Sequence, residues 1–154
     1  LIVLEEDNQG ILKWTSSNAI KIYTQKGIIT RFMGLDNELG ILEVDKSHPI
    51  LNESLSKERK INLTSFYTFK NPDLYRLPVK TEFYYHDSDD LDIFGETFKV
   101  DIYKEEALDN LIDWKFTNLF WINQDTKRVI KSSQSITPKN PKVHYTVTRK
   151  YSKQ

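Results

Sequence analysis

Histidine is the side chain that most often binds metals or transfers protons near neutral pH, and this chain has three, His48, His86 and His144. They lie in different parts of the sequence, and no two have the i, i+4 or Cys-paired spacing of a metal site. The chain has no Cys, which excludes disulfides, thiolate catalysis and Cys-ligated zinc. We therefore interpret each histidine as a surface or core residue, and we predict neither a metal site nor a cofactor.

A run of aspartates in residues 86–92 is the most obvious source of oxygen ligands for a cation. An EF-hand loop counted from Asp87 would have Asp92 at the glycine position and Phe98 at the position of the bidentate acid. The run therefore does not match the motif. We interpret it as the solvated turn of a hairpin.

Glu105 and Glu106 form the carboxylate pair that most deserves comparison with a general acid and base. Adjacent residues on a strand face opposite ways, so we expect this pair at a solvated edge. With 22 acidic residues, some pair will meet the spacing for glycoside cleavage by chance. Since no nucleophile is accompanied by a base, we predict a protein that is not an enzyme and has no catalytic residues.

Tryptophan offers binding chemistry instead, because an aromatic face stacks on sugar rings and acyl chains while the indole N–H donates one hydrogen bond. The chain has three, Trp14, Trp114 and Trp121. Core packing is the first interpretation of Trp14 and Trp114. Trp121 is the best candidate for exposure, because it lies opposite the other aromatic residues of its predicted strand.

Composition limits the class of protein. Lys and Arg number 22, as do Asp and Glu, so no excess of positive charge would attract nucleic acid, which we do not expect as a partner. Aromatic residues make up 12% of the chain, which favours strands. The length suits one core, and we treat residues 1–154 as a single β domain. The apolar residues 1–4 are too few for a signal or a membrane span, so we expect a first strand in a mature or trimmed domain.

Two segments, residues 14–35 and 114–133, each contain two strands of alternating polarity joined by a polar turn. Gln25-Lys26-Gly27 is the predicted turn of the first, with Gly27 at positive φ. Residues 123–126 are the predicted turn of the second. The strand at residues 114–122 carries apolar bulk on both faces, which predicts a central strand or the wall of a cavity.

The rest of the chain extends this pattern to about nine strands. Four further segments alternate in the same way: 61–69, 79–85, 98–103 and 143–147. Residues 45–60 are expected to form a surface excursion with a turn or two of helix, and residues 104–113 an exposed connection. The predicted fold is all-β, an antiparallel hairpin meander forming an open or partly closed barrel or sandwich, with at most one or two short helices.

Particular residues in these segments also resemble a known family. The first block contains Trp14-Thr15-Ser16, Ala19, Tyr23-Thr24, Gly27, Thr30-Arg31 and Gly34-Leu35. The second contains Ile93-Phe94-Gly95, residues 100–105, Trp114, Phe120-Trp121-Ile122 and residues 129–134. In this order they resemble the YjbF/GfcB lipoproteins of group 4 capsule and related exopolysaccharide operons in Gram-negative bacteria. The residues beside Gly27 depart from the basic turn of the family, so Arg31 is the basic residue that remains.

The resemblance implies an all-β domain on the periplasmic side of the outer membrane, anchored by a lipidated N-terminal Cys that is not in this sequence. It implies a role in assembly or export of surface polysaccharide, with polysaccharide or other secretion proteins as partners, and it brings no catalytic residues. We expect Trp14, Arg31 and Trp121 to bind the ligand, with either tryptophan near Arg31 in an exposed strip.

Two other functions remain open at this point. A lipid or lipoprotein carrier with an unclosed barrel would have a hollow lined by Phe116, Phe120 and Tyr145. A lyase or hydrolase acting on the polysaccharide would need a cleft where His and Tyr, or two acids, converge. The shape of the concave face therefore separates a carrier from an interaction scaffold.

Overall fold

A computed structural model describes residues 2–148, apart from the side chain of Asn110. The predicted polar tail, residues 150–154, and the first residue of the predicted first strand, Leu1, lie outside the described residues. One helical turn, α1 (Pro49–Asn52), accompanies eleven strands. The strands are β1 (Ile2–Asn8), β2 (Ile11–Ser16), β3 (Lys21–Gln25), β4 (Ile28–Met33), β5 (Glu38–Glu43), β6 (Ile61–Lys70), β7 (Leu74–Ile93), β8 (Glu96–Asn110), β9 (Thr117–Asn123), β10 (Val129–Gln134) and β11 (Val143–Thr146).

The strands form one antiparallel sheet in chain order, from β1 to β11, and the sheet curls into a half-barrel. Its curl brings the β3–β4 turn against β10 and β11. The Gln134 amide donates to the Gly27 carbonyl at 2.9 Å, and the Tyr145 hydroxyl donates to the same oxygen at 2.6 Å. The predicted all-β meander and open barrel are therefore confirmed, with eleven strands rather than nine.

The predicted turns that join β3 to β4 and β9 to β10 are also confirmed. Lys26 and Gly27 have φ of 48° and 95°, and a Cβ on Gly27 would lie 2.6 Å from the Cβ of Val129. This position needs glycine both for its backbone conformation and for its close approach to β10. In the other turn, the Asn123 side-chain oxygen accepts the backbone N–H groups of Asp125 and Thr126.

The concave face of the sheet is packed by two apolar clusters. One is formed by Ile22, Ile29, Phe32, Leu39, Tyr67, Phe69, Leu77, Val79, Trp114, Phe116 and Ile136. The other is formed by Ile28, Ile50, Leu63, Phe83, Tyr103, Phe120 and Ile122. The alternation predicted for residues 114–122 is confirmed, because Trp114, Phe116, Asn118, Phe120 and Ile122 are all buried.

The long β7–β8 hairpin corrects two predictions. The acidic residues 86–92 lie within β7, and the chain turns at Phe94 and Gly95, which have φ of 48° and 82°. Residues 104–110 belong to β8 and form strand rather than an exposed connection. Both segments look like loops in sequence because their charges resemble those of solvated turns.

The excursion between β5 and β6 corrects a third prediction. It contains one helical turn, as expected, but it is not confined to the surface, because His48, Pro49 and Ile50 are buried. Ile50 joins the second apolar cluster, with Leu51 and Leu55 packed at its border. The segment thus covers part of the concave face.

Strand direction sorts the loops into two rims. The start of β1 and the loops 17–20, 34–37, 71–73, 111–116 and 135–142 form what we call the N-terminal rim. The loops 9–10, 26–27, 44–60, 94–95 and 124–128 form the distal rim. Within residues 2–148, no helix has the length and apolar character needed to cross a bilayer.

Candidate functional site

The three predicted ligand-binding residues do not share one face of the sheet. Trp14 pairs with Ile22 in the neighbouring strand, which is a core residue, so Trp14 lies on the concave side. Its indole N–H donates to the Thr24 hydroxyl at 3.0 Å. Arg31 pairs with Tyr23, one residue out of step with Ile22, and therefore lies on the convex side. Of the two tryptophans proposed to lie near Arg31, Trp14 is therefore on the opposite face of the sheet.

Arg31 has a tyrosine rather than a tryptophan as its aromatic neighbour. Its guanidinium carbon lies 5.4 Å from the centre of the Tyr23 ring, within the range of a cation–π contact. Its Nε is buried without a hydrogen-bond partner among residues 2–148.

Trp121 lies on the convex face of β9. It pairs with Ile102 of β8 on one side and with Lys131 of β10 on the other. The Lys131 ammonium lies 4.6 Å from the centre of the indole. We call Ile102, Trp121 and Lys131 the Trp121 strip. It presents an apolar, an aromatic and a cationic side chain in line on three paired strands, which hold their spacing fixed.

A second row of convex residues runs beside the Trp121 strip. Leu119 pairs with Lys104, and Lys104 pairs with Tyr84. Lys60 lies 4.7 Å from the centre of the Tyr84 ring. The convex face therefore repeats the combination of a lysine with an aromatic ring.

The concave face, by contrast, is filled by its own side chains. Phe116 and Phe120, which would line the hollow of a carrier, pack in different clusters, and Phe120 is 0% exposed. Tyr145 directs its hydroxyl to the Gly27 carbonyl. An open groove of about 450 Å³ does occur, but at the N-terminal rim, where its lining includes Leu108, Lys115, Phe116, Thr117 and Lys142.

Between the two apolar clusters lies a buried polar group centred on Glu105. Its carboxylate accepts the Thr81 hydroxyl at 2.9 Å and the Asn118 amide at 3.4 Å, and the His48 Nε2 lies 3.8 Å away. Burial alone would raise the pKa of Glu105, but the proximity of His48 and the hydrogen bonds from Thr81 and Asn118 hold it below its usual value. Glu105 is therefore a buried carboxylate, not the solvated one that we expected.

His48 places the excursion between β5 and β6 beside this carboxylate, with Nε2 3.8 Å from the nearest Glu105 oxygen. Its Nδ1 accepts the backbone N–H of Ile50, so in the neutral ring the proton is on Nε2, the nitrogen nearest Glu105. Within the described residues that Nε2 has no hydrogen-bond partner. The side chains of His48 and Glu105 are only 1% and 7% exposed, so a polymer outside the protein does not reach them.

A second carboxylate, Asp101, collects donors near the distal rim. Its Oδ1 accepts from the Ser88 hydroxyl, the Gln124 amide and the Lys57 ammonium, at 2.8, 3.0 and 3.1 Å. Burial opposes ionisation, but these three donors hold the pKa of Asp101 below its usual value. The group joins the excursion, the β7–β8 hairpin and the β9–β10 turn.

Sequence reasoning did not find these polar groups. Glu105 contacts Thr81, Asn118 and His48, which belong to three other elements. No spacing in the sequence indicates that these residues lie together. Among the described residues, no group of three His, Asp or Glu side chains is placed to hold a metal ion.

Comparison with known proteins agrees with this architecture. Residues 1–148 match the family described as group 4 capsule polysaccharide lipoprotein gfcB, YjbF. The chain belongs to this family. The resemblance seen in the two sequence blocks is thus confirmed, and membership in the YjbF family is consistent with a role in capsule assembly as a membrane-associated periplasmic lipoprotein. No curated protein matches the chain.

A crystal structure of the hypothetical lipoprotein YmcC from Escherichia coli K12 is similar to this YjbF family member. The TM-score is 0.78 with 21% sequence identity, covering 88% of this chain and 72% of the YmcC chain. At that identity the likeness concerns the fold alone.

Proposed function

We propose that this domain assists assembly or export of capsule polysaccharide without catalysing a reaction, by binding the polysaccharide on its convex face, on the periplasmic side of the outer membrane. The observation that carries the proposal is the Trp121 strip. An aromatic ring can stack on the apolar face of a sugar, and a lysine beside it can pair with a carboxylate or phosphate of the polymer. Lys131 and Trp121 supply both on adjacent strands.

Rigidity supports this assignment. The strip lies on paired strands whose opposite face contains Phe120 and Ile122, both nearly or fully buried in the second apolar cluster. A binding surface built on such strands loses little conformational entropy when a ligand binds. Arg31, beside Tyr23 on the same convex side, is a second contact point for an extended chain.

The filled concave face is the reason to prefer this function to a lipid carrier. A carrier must enclose an acyl chain in a pocket of about 300–1,000 Å³. The groove of about 450 Å³ at the N-terminal rim is open and does not enclose a chain. Here the space between the clusters is occupied by Glu105, Thr81 and Asn118, which hydrogen-bond to one another. An enzyme is disfavoured by the same group, because its carboxylate and imidazole lie inside the packed core.

Affinity electrophoresis of the purified domain, in gels with and without capsule polysaccharide of the source strain, tests the proposal. We expect the polysaccharide to retard the domain, and we expect Trp121→Ala and Lys131→Ala each to weaken binding about tenfold, equivalent to about 1.4 kcal/mol. Arg31→Ala tests the second contact point. Tyr75→Ala is the matched control, because Tyr75 is 82% exposed at the N-terminal rim, away from the strip.

Full retardation of the Trp121→Ala variant would refute the site. Deletion of the gene with unchanged surface polysaccharide would refute the role. If deletion lowers surface polysaccharide but the domain does not bind it, the partner is another secretion component. Binding of a fluorescent fatty acid by the domain would instead favour the carrier.

A further inference from the structure

The large apolar side chains that the described residues expose are unevenly distributed between the two rims. Seven of the ten lie at or beside the N-terminal rim: Val3, Leu35, Leu74, Tyr75, Leu108, Leu111 and Ile112. The other three are Ile11 and Phe94 at the distal end and Ile41 within β5. A concentration of exposed apolar side chains at one end of a sheet indicates a contact face.

The position of the first strand provides the argument for a membrane as the partner of this face. Ile2 begins β1 at the N-terminal rim, so any preceding chain joins the fold there. The family to which the chain belongs is described as one of lipoproteins, and the resemblance implies that their lipid is carried on an N-terminal Cys. A lipid anchor on this chain therefore leads from the bilayer to the same rim that exposes the apolar side chains.

We propose that the N-terminal rim is a membrane-docking face, which lies on the phospholipid surface and orients the half-barrel. Its loops place Leu111 and Ile112 between β8 and β9, and Tyr75 at the start of β7, where they can enter the boundary between headgroups and acyl chains. The open groove at this rim has Lys115 and Lys142 next to Leu108, a pairing of cations with apolar groups that suits lipid headgroups.

Apolar contact, rather than net charge, drives this docking. The rim also carries Asp36, Asp73, Asp109 and Asp113, so its lysines are balanced by acids. Docking should therefore persist at high salt, unlike binding by a basic patch. The acidic β7–β8 hairpin, with Phe94 at its tip, lies at the distal rim, so a protein docked by its N-terminal rim holds the hairpin away from the bilayer.

The absence of Cys from the chain allows a direct test with single labels. Leu111→Cys and Phe94→Cys place an environment-sensitive fluorophore at residues that are 80% and 88% exposed, at opposite rims. Each labelled protein is tethered through an N-terminal His tag to vesicles of phosphatidylethanolamine and phosphatidylglycerol that contain a nickel-chelating lipid. We expect a severalfold rise in emission with a shift to shorter wavelength at position 111, and no change at position 94.

Two controls make the result specific. Leu108→Ser with Ile112→Ser, in the chain labelled at position 111, should abolish the rise while leaving the circular dichroism and the urea midpoint unchanged, because both side chains are exposed. An equal response at positions 94 and 111, or none at 111, would overturn the proposal. So would a rise at position 111 that follows protein concentration without vesicles, which would assign the rim to self-association.

Discussion

Replacing Glu105 by Gln tests whether the buried polar group stabilises the fold through its charge. The carboxylate accepts a hydrogen bond from Thr81 and one from Asn118. An amide of the same size has one acceptor and one donor end. With its NH2 group towards Asn118 two donors face each other, and with its NH2 group towards Thr81 the hydroxyl must turn to accept, so its own proton loses the carboxylate acceptor. A buried donor left without an acceptor lowers the free energy of unfolding by about 1–3 kcal/mol, and the loss of charge weakens the hydrogen bonding that remains.

Part of that cost is offset because a neutral amide is easier to bury than a carboxylate. We therefore expect Glu105→Gln to lower the free energy of unfolding by about 2 kcal/mol at neutral pH. Since the pKa of Glu105 is lowered by folding from 4.5, its stabilisation is fully present above that pH and is lost as pH falls through the folded-state value. The difference between wild type and variant should accordingly shrink below about pH 4.5.

Urea unfolding followed by tryptophan fluorescence, repeated from pH 7 down to about pH 3, measures this difference. Glu106→Gln is the matched control, because Glu106 is the next residue of β8 and faces the convex side. We expect the control to change stability by about 0.5 kcal/mol or less. The reasoning is refuted if Glu105→Gln and Glu106→Gln unfold alike at pH 7, or if the Glu105 effect is constant down to pH 3.

Three further variants test the packing and the ionisation of the concave face. Phe120→Ala should lower the free energy of unfolding by about 3–5 kcal/mol in urea, whereas Phe94→Ala, at an exposed tip, should leave it nearly unchanged. Gly10→Ala should lower the free energy of unfolding by roughly 1 kcal/mol, and Gly27→Ala should lower it by well over that amount. Both glycines have positive φ, but of the two only Gly27 would bring its new Cβ against another side chain. Thermal unfolding compares the two variants. Burial, with nearby acidic charge, raises the pKa of Tyr103 to about 12, so stability should fall as pH rises from 10 towards 12, and less steeply in Tyr103→Phe.

The hairpins were predictable because their signals are local. The alternation at residues 114–122 sorted Phe120 from Trp121, and the structure places them on opposite faces of β9. Gly27 marked its turn for the same reason, since the conformation of a two-residue turn depends on the residues within it.

Burial that depends on distant partners was not predictable in this way. The aspartates of residues 86–92 resemble a turn, yet they lie in a strand that extends beyond the core, where both faces are solvated. In the sequence Glu105 resembles a surface acid, because its neighbour His48 belongs to a loop more than fifty residues earlier in the chain. Likewise, the sequence does not show which face of the sheet Trp14 and Arg31 occupy, because this depends on the register of β3 with β2 and β4.

The sequential order of the sheet has a consequence for how the chain folds. Each strand hydrogen-bonds to its immediate neighbours in sequence, so pairing can advance like a zipper as segments become available, with short loops to close at most steps. The link from Gln134 to Gly27 is different, because it joins groups 107 residues apart. This hydrogen bond cannot form before β10 has been synthesised and paired. In a nascent chain the first hairpins should therefore stay flexible, without the curl of the half-barrel, until the last hairpin has formed.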